Sequence, residues 1–211
     1  MNWLFGKKAE KGARKVARAA LAVEGLEDRA LMATFTLIDT LNARDTINIQ
    51  ELNVIQSIET FKLNETGNFQ QVIANGQGRT QALTNLYKSV LAQQQIDSNA
   101  GNANAVAADQ LFAKQILRSG QEVRSLMRQA TVLDNTIQTT LSQGISKVTS
   151  TFNNTQKNLS HGHNPFLTVP HAVNALNFYG AQARQHFTTG STQMRDINTQ
   201  ITGPLFLPQV V

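Results

Sequence analysis

The 211 residues contain no cysteine, so disulfides, thiolate metal sites and a cysteine nucleophile are excluded. No run of 18 apolar residues occurs, which removes any spanning helix. Aromatic residues make up 6% of the chain against 41% hydrophobic, a balance that predicts a modest, elongated core. Charge is scarce outside one region. Residues 1–22 hold six Lys/Arg and one Glu, leaving 13 basic and 13 acidic residues for 23–211. The sequence pI near 9.7 therefore belongs to the N-terminal arm. A neutral body without a basic stripe and interleaved aromatics does not read as a nucleic-acid binder, and no specific nucleic acid is expected as a partner. The body is rich in Gln, Asn, Thr and Ser; its helices have few ion pairs to hold them and depend on packing.

Reactive constellations are equally sparse. Gly76-Gln77-Gly78 lacks both the further glycine and the Lys-Ser/Thr of a phosphate loop. Ser160 adjoins His161, but adjacent residues rarely face each other and no orienting acid is near. His161, His163 and His171 fall within eleven residues, and imidazoles on a loop can bind Zn, Ni or Cu. Against a metal, no Asp or Glu lies between Asp134 and Asp196, so the first shell would be all histidine. A polar linker that contains histidine is the better reading. No catalytic residue, no metal and no cofactor is assigned, and the chain is read as a non-enzyme.

What the chain does have is helical period. Phe112, Ile116, Gly120, Val123, Met127, Ala130, Leu133, Ile137, Leu141, Ile145, Val148 and Phe152 make eleven steps over 40 positions, or 3.64 residues per step. This predicts one helix over 105–152, about 72 Å long at 1.5 Å per residue, whose narrow seam requires another helix along it. A second helix is predicted from about Val169 to Thr202, with Pro170 in its first turn. Its seam, Val173, Leu176, Gly180, Ala183, Phe187, Gly190, Met194, Ile197 and Ile201, keeps alternating steps of three and four over four heptads. Leu83, Leu86, Tyr87, Val90 and Leu91 predict an amphipathic helix over about 80–96, joined to the long one by the turn formers of 97–104. Residues 153–169 read as a linker.

Residues 34–78 are the least legible. Asn48 and Glu51 are spaced as a cap with its reciprocal acid, favouring a helix over about 48–61, with turns at 64–68 and 75–78. The alternative is a small β-hairpin. The fold expected is mainly α, an elongated antiparallel helical bundle or hairpin of long helices. It divides into a basic arm (1–33), a helical domain (34–202) and an extended apolar tail (203–211) that needs a groove or a partner.

The arm opens with Trp3-Leu4-Phe5, then Lys7, Lys8, Lys11, Arg14, Lys15 and Arg18, and only five apolar residues before Glu24, too few for a standard secretory signal. Next come Gly25-Leu26-Glu27-Asp28-Arg29-Ala30-Leu31-Met32-Ala33. This string resembles the N-terminal sorting element of predicted exported and surface proteins of planctomycetes, a basic stretch followed by Leu-Glu-Pro/Asp-Arg-x-Leu-Leu and a small residue. Leu26, Glu27, Asp28, Arg29, Leu31 and Ala33 match in order, and Met32 stands where leucine is typical. The resemblance covers residues 7–33. It implies an address, the cell envelope or extracellular surface, and no activity. The function expected is that of an exported or envelope-associated helical structural or interaction protein that assembles with copies of itself through its long helices. The alternative is a peripheral membrane or polyanion binder in which residues 1–22 are retained and dock on an anionic membrane surface.

Overall fold

The Thr36 hydroxyl and the Asp39 carboxylate open the first helix as a reciprocal pair: Thr36 Oγ1 accepts from the Asp39 N–H at 3.1 Å, and Asp39 Oδ2 accepts from the Thr36 N–H at 2.9 Å. The helix they start, α1, runs Leu37–Asn99 in the computed structural model, which describes residues 36–204. It is followed by α2 (Ala103–Ser160) and α3 (Pro165–Thr202). The three long helices pack against each other as a helical bundle, with no strand among the described residues. The sorting residues 26–33 and the tail beyond Pro204 lie outside the described residues.

Three local expectations are corrected. In the stretch 34–78, the described residues 36–78 form neither a hairpin nor a short helix between turns, because α1 is continuous through both the 64–68 and the 75–78 stretches. The linker 153–169 shrinks to 161–164, since Thr155 and Leu159 carry the buried face of α2 onward past Asn153 and Asn154. Helix α3 starts at Pro165, not Val169, so Pro170 sits inside it. Pro165 takes the first helical position, where a missing N–H leaves nothing unpaired.

Both connections use one device. Gly101 (φ 71°) and Gly162 (φ 79°) take the left-handed conformation that glycine adopts without strain. Behind each, the next residue reaches back over the helix end: Asn102 N–H donates to Asp97 O at 2.9 Å, and His163 N–H donates to Asn158 O at 3.1 Å. An asparagine then caps the following helix. Asn102 Oδ1 accepts from Ala105 N–H at 3.2 Å, and Asn164 Oδ1 from Phe166 N–H at 2.9 Å. Connections this short make each helix antiparallel to the next.

Contacts divide the described chain into two compact units, 36–51 with 150–175 and 52–149 with 176–204. The first buries Ala43, Ile47, Leu159 and Ala172, and ties α1 to α2 through Gln156 Nε2 donating to Asn48 Oδ1 at 3.0 Å. The second has three successive apolar clusters. Val54 and Ile58 of α1 meet Ile137, Leu141 and Val148 of α2 and Leu176 and Ala183 of α3. Val72 meets Ala130 and Met194, Ile197 and Ile201. Leu83 and Val90 meet Ala113, Ile116 and Val123 with no α3 residue among them. Every residue of the two long sequence seams is buried or half-buried.

Glycines inside α1 separate into two kinds. A Cβ on Gly76 would fall 2.6 Å from both Cγ and Sδ of Met127, so the helices approach closely there. Cβ atoms on Gly67 or Gly78 would meet nothing within 4 Å. These two only weaken the helix. Gly67→Ala and Gly78→Ala are each expected to stabilise the fold by about 0.8–1 kcal/mol in denaturant titrations, whereas glycines required by turns would give losses.

Candidate functional site

The histidine cluster belongs to a turn. His161 and His163 flank the left-handed Gly162, and His161 Nδ1 lies 2.7 Å from Lys157 O, closing the end of α2. His171 stands on α3 beside Asn154, Asn158 and Thr151 in a shallow groove of the first unit, with no acid lining it. Among the described residues no three His, Asp or Glu side chains come together in a way that would hold a metal.

The α3 seam faces inward. Gly180 sits against Val54 of α1, where a Cβ would come within 3.3 Å of Val54 Cγ1. Gly190 sits against Ile137 of α2, where a Cβ would lie 2.6 Å from Cγ1 and in collision with Cδ1. Phe187 stacks on Phe61 of α1, with ring centroids 4.9 Å apart and 11° between planes. Because Leu176, Met194 and Ile201 are also buried within this chain, the seam is filled by the chain's own helices.

Between the first two apolar clusters of the second unit lies a polar layer to which all three helices contribute. Glu65 of α1, 0% exposed, accepts a hydrogen bond at Oε2 from Ser191 Oγ of α3 at 2.9 Å, while Oε1 has no partner. Asn68 Nδ2 donates to Ser191 Oγ at 3.3 Å. From α2, Gln138 Nε2 donates to Lys62 O at 3.1 Å and to Thr66 Oγ1 at 3.2 Å, and Asp134 Oδ1 is buried without a partner. Desolvation, followed by the nearby Asp134 carboxylate, pushes the Glu65 carboxyl above the usual range against the opposing Ser191 and Asn68 hydrogen bonds. Asp134 is raised by desolvation as well, against a hydrogen bond from Gln138. At the α1–α2 turn, desolvation and then the facing Asp97 raise Asp109. The Ser191 hydroxyl donates to Glu65, and no histidine stands among the contacts just described. The geometry of the layer suits register and pH response.

Exposed large apolar side chains occur on all three helices, Val132 of α2 and Phe166, Leu167 and Phe178 of α3 among them, and α1 carries several on one side. Ile38, Leu41, Ile49, Leu52 and Leu63 are all exposed, from 47% at Leu41 to 72% at Leu63. At 100° per residue they fall on one side of the helix, half a turn away from the buried Ala43, Ile47, Val54 and Ile58. The first unit carries Ile38, Leu41 and Ile49, the second Leu52 and Leu63. No protein-family model, curated protein or solved structure matches the chain. The exposed α1 stripe is the feature that sequence periodicity missed. Two apolar faces on opposite sides of one helix cancel each other's amphipathic signal, so neither stood out in 34–78.

Proposed function

We propose that the protein is a non-enzymatic structural or interaction protein that associates with copies of itself, and that residues 7–33 address it to the cell envelope or exterior. The observation that carries the self-association is the outer stripe of α1. The side carrying Ile38, Leu41 and Ile49 in the first unit, and that carrying Leu52 and Leu63 in the second, each offers apolar surface to the same helix of a second copy. The address rests on the match of Leu26, Glu27, Asp28, Arg29 and Leu31 to the planctomycete element.

Equilibrium sedimentation of the full chain is expected to show a dimer or larger species at micromolar concentration. Leu52→Glu, at an exposed position that leaves the core intact, is expected to weaken association at least tenfold while the monomer melts unchanged. A wild type that stays monomeric near 100 µM, or a variant that associates equally well, removes this reading. Fractionation of the native cells tests the address, and a purely cytoplasmic pool would contradict it.

A further inference from the structure

The even balance of charge over 23–211, which reads in sequence as a neutral body, conceals a division. In the second unit, residues 66–96 of α1 carry Arg79 and Lys88 and no acid, and residues 110–133 of α2 carry Lys114, Arg118, Arg124 and Arg128 against Glu122 alone. The bases of α2 are gathered on its outer side. At about 100° per residue, Leu111, Lys114, Leu117, Arg118, Arg128 and Val132 fall within about 120° of one another, half a turn from the buried Ile116, Val123 and Ala130. All six are exposed, and Arg124, also exposed, stands at the edge of this side. The acids of the stretch lie off it: Asp109 faces Asp97 of α1, and Glu122 lines the groove where α3 ends.

Beside the two arginines the surface is hollowed. Arg124, Arg128 and Thr131 of α2 rim an open cavity of about 540 Å³ whose apolar lining is Ile73 of α1 and Met127. No acid lines it, and the Thr131 hydroxyl is turned back to Met127 O at 3.0 Å. Among the described residues, none of Lys114, Arg118, Arg124 and Arg128 takes part in a hydrogen bond or an ion pair. Their charge is free for a partner.

We propose that this side of α2 lies on an anionic lipid surface, with a phosphate headgroup held between Arg124 and Arg128 at the hollow and Leu111, Leu117 and Val132 entering the headgroup region. From Leu111 to Val132 the helix runs about 32 Å, a straight amphipathic face of basic and aliphatic residues that suits a flat interface. A nucleic acid would satisfy the bases but leave the three aliphatic side chains in water, and this side offers no aromatic ring for a base to stack on. A protein would have to set an acid opposite each base, whereas a lipid leaflet presents phosphates along the whole length. The exposed stripe of α1 is made of other residues, so lipid docking and self-association do not compete for side chains.

The full chain is expected to sediment with vesicles of equal parts phosphatidylglycerol and phosphatidylcholine, and to stay in solution with phosphatidylcholine alone. Arg124→Gln combined with Arg128→Gln is expected to weaken that binding about tenfold with an unchanged Tm, because neither guanidinium has a partner in the fold. Leu117→Ser is expected to weaken it severalfold while leaving retention on a soluble polyanion, heparin, as it was. Since the chain has no cysteine, a fluorophore on Leu117→Cys reports one site, and its emission is expected to shift to the blue on the anionic vesicles. Absence of vesicle binding would overturn the proposal, as would undiminished binding by the double arginine variant, since the basic residues 1–22 would then carry it. A Leu117 fluorophore that stays in water on the vesicles would also overturn it and make a soluble anion the occupant.

Discussion

Gly190→Leu is expected to destabilise the bundle by about 3 kcal/mol, the upper end of what overpacking a close-packed core costs. Gly190 is buried, and the position a Cβ would take is already occupied by Cδ1 and Cγ1 of Ile137. Ile137 is 4% exposed and held among Ile58, Leu141 and Ala183, so it has little room to turn aside. A leucine must therefore push α3 off α2. Ile137→Val, which removes Cδ1, is expected to cost about 0.5–1.5 kcal/mol alone. Combined with Gly190→Ala it is expected to lose less than the two single changes together, because the methyl removed makes space for the methyl added. Denaturant titrations of the four proteins decide this. If Gly190→Leu melts with the wild type, α3 does not pack on α2 at this level.

The second large effect is the pH response of the polar layer. Glu65 and Asp134 both have folded carboxyls raised above their ordinary values, so the folded chain holds protons that the unfolded chain has released. Stability then falls as the pH rises through the folded values and is regained on acidification toward the unfolded carboxylate range near pH 4. The groups around the layer do not reverse this sign. Lys62, on the same helix, is taken by Glu59 at 3.5 Å, and Asp134 is the charged residue of α2 that acts on Glu65. From α3, Arg195 borders the groove beside Asn68 and Ser191, yet burial and Asp134 still set the direction of the Glu65 shift. Melting curves are expected to show a higher Tm at pH 5 than at pH 8. Glu65→Gln retains an acceptor for Ser191 without the buried charge. It is expected to add about 1–2 kcal/mol at pH 8, within the range a poorly satisfied buried polar group costs, and to remove most of the difference between the two pH values. A wild type that is more stable at pH 8 than at pH 5 would show that the layer is not governed by buried carboxylates.

Hydroxyl groups explain how so polar a sequence supports long helices with few ion pairs. Thr46, Ser57, Thr60, Thr84, Thr136, Thr140 and Thr199 each donate back to the carbonyl four residues earlier, at 2.8–3.0 Å. Their polarity is spent within their own helix. The surface available to a partner is correspondingly less polar than the composition suggests.

The sequence alone determined where a single apolar face repeats at helical period. The seams Phe112 to Phe152 and Val173 to Ile201, the turn around Gly101 and the end of α3 before Pro204 are local signals that packing reinforces. Only the tertiary structure decided the rest, because its causes lie on other helices. Clusters of Asn and Gly at 64–68 and 75–78 carry turn chemistry, yet they stay helical because Glu65, Val72 and Gly76 must all face α2 and α3. His161-Gly162-His163 became the end of a helix once Thr155 and Leu159 found a core to enter. Nothing local marks Glu65 as different from other helix-surface acids; packing against Ser191 of α3 makes it a buried one. Gly180 and Gly190 share one seam in sequence, but the first makes room for Val54 of α1 and the second for Ile137 of α2. Period can place a residue on a face, while the identity of the atom opposite is fixed only when the helices meet.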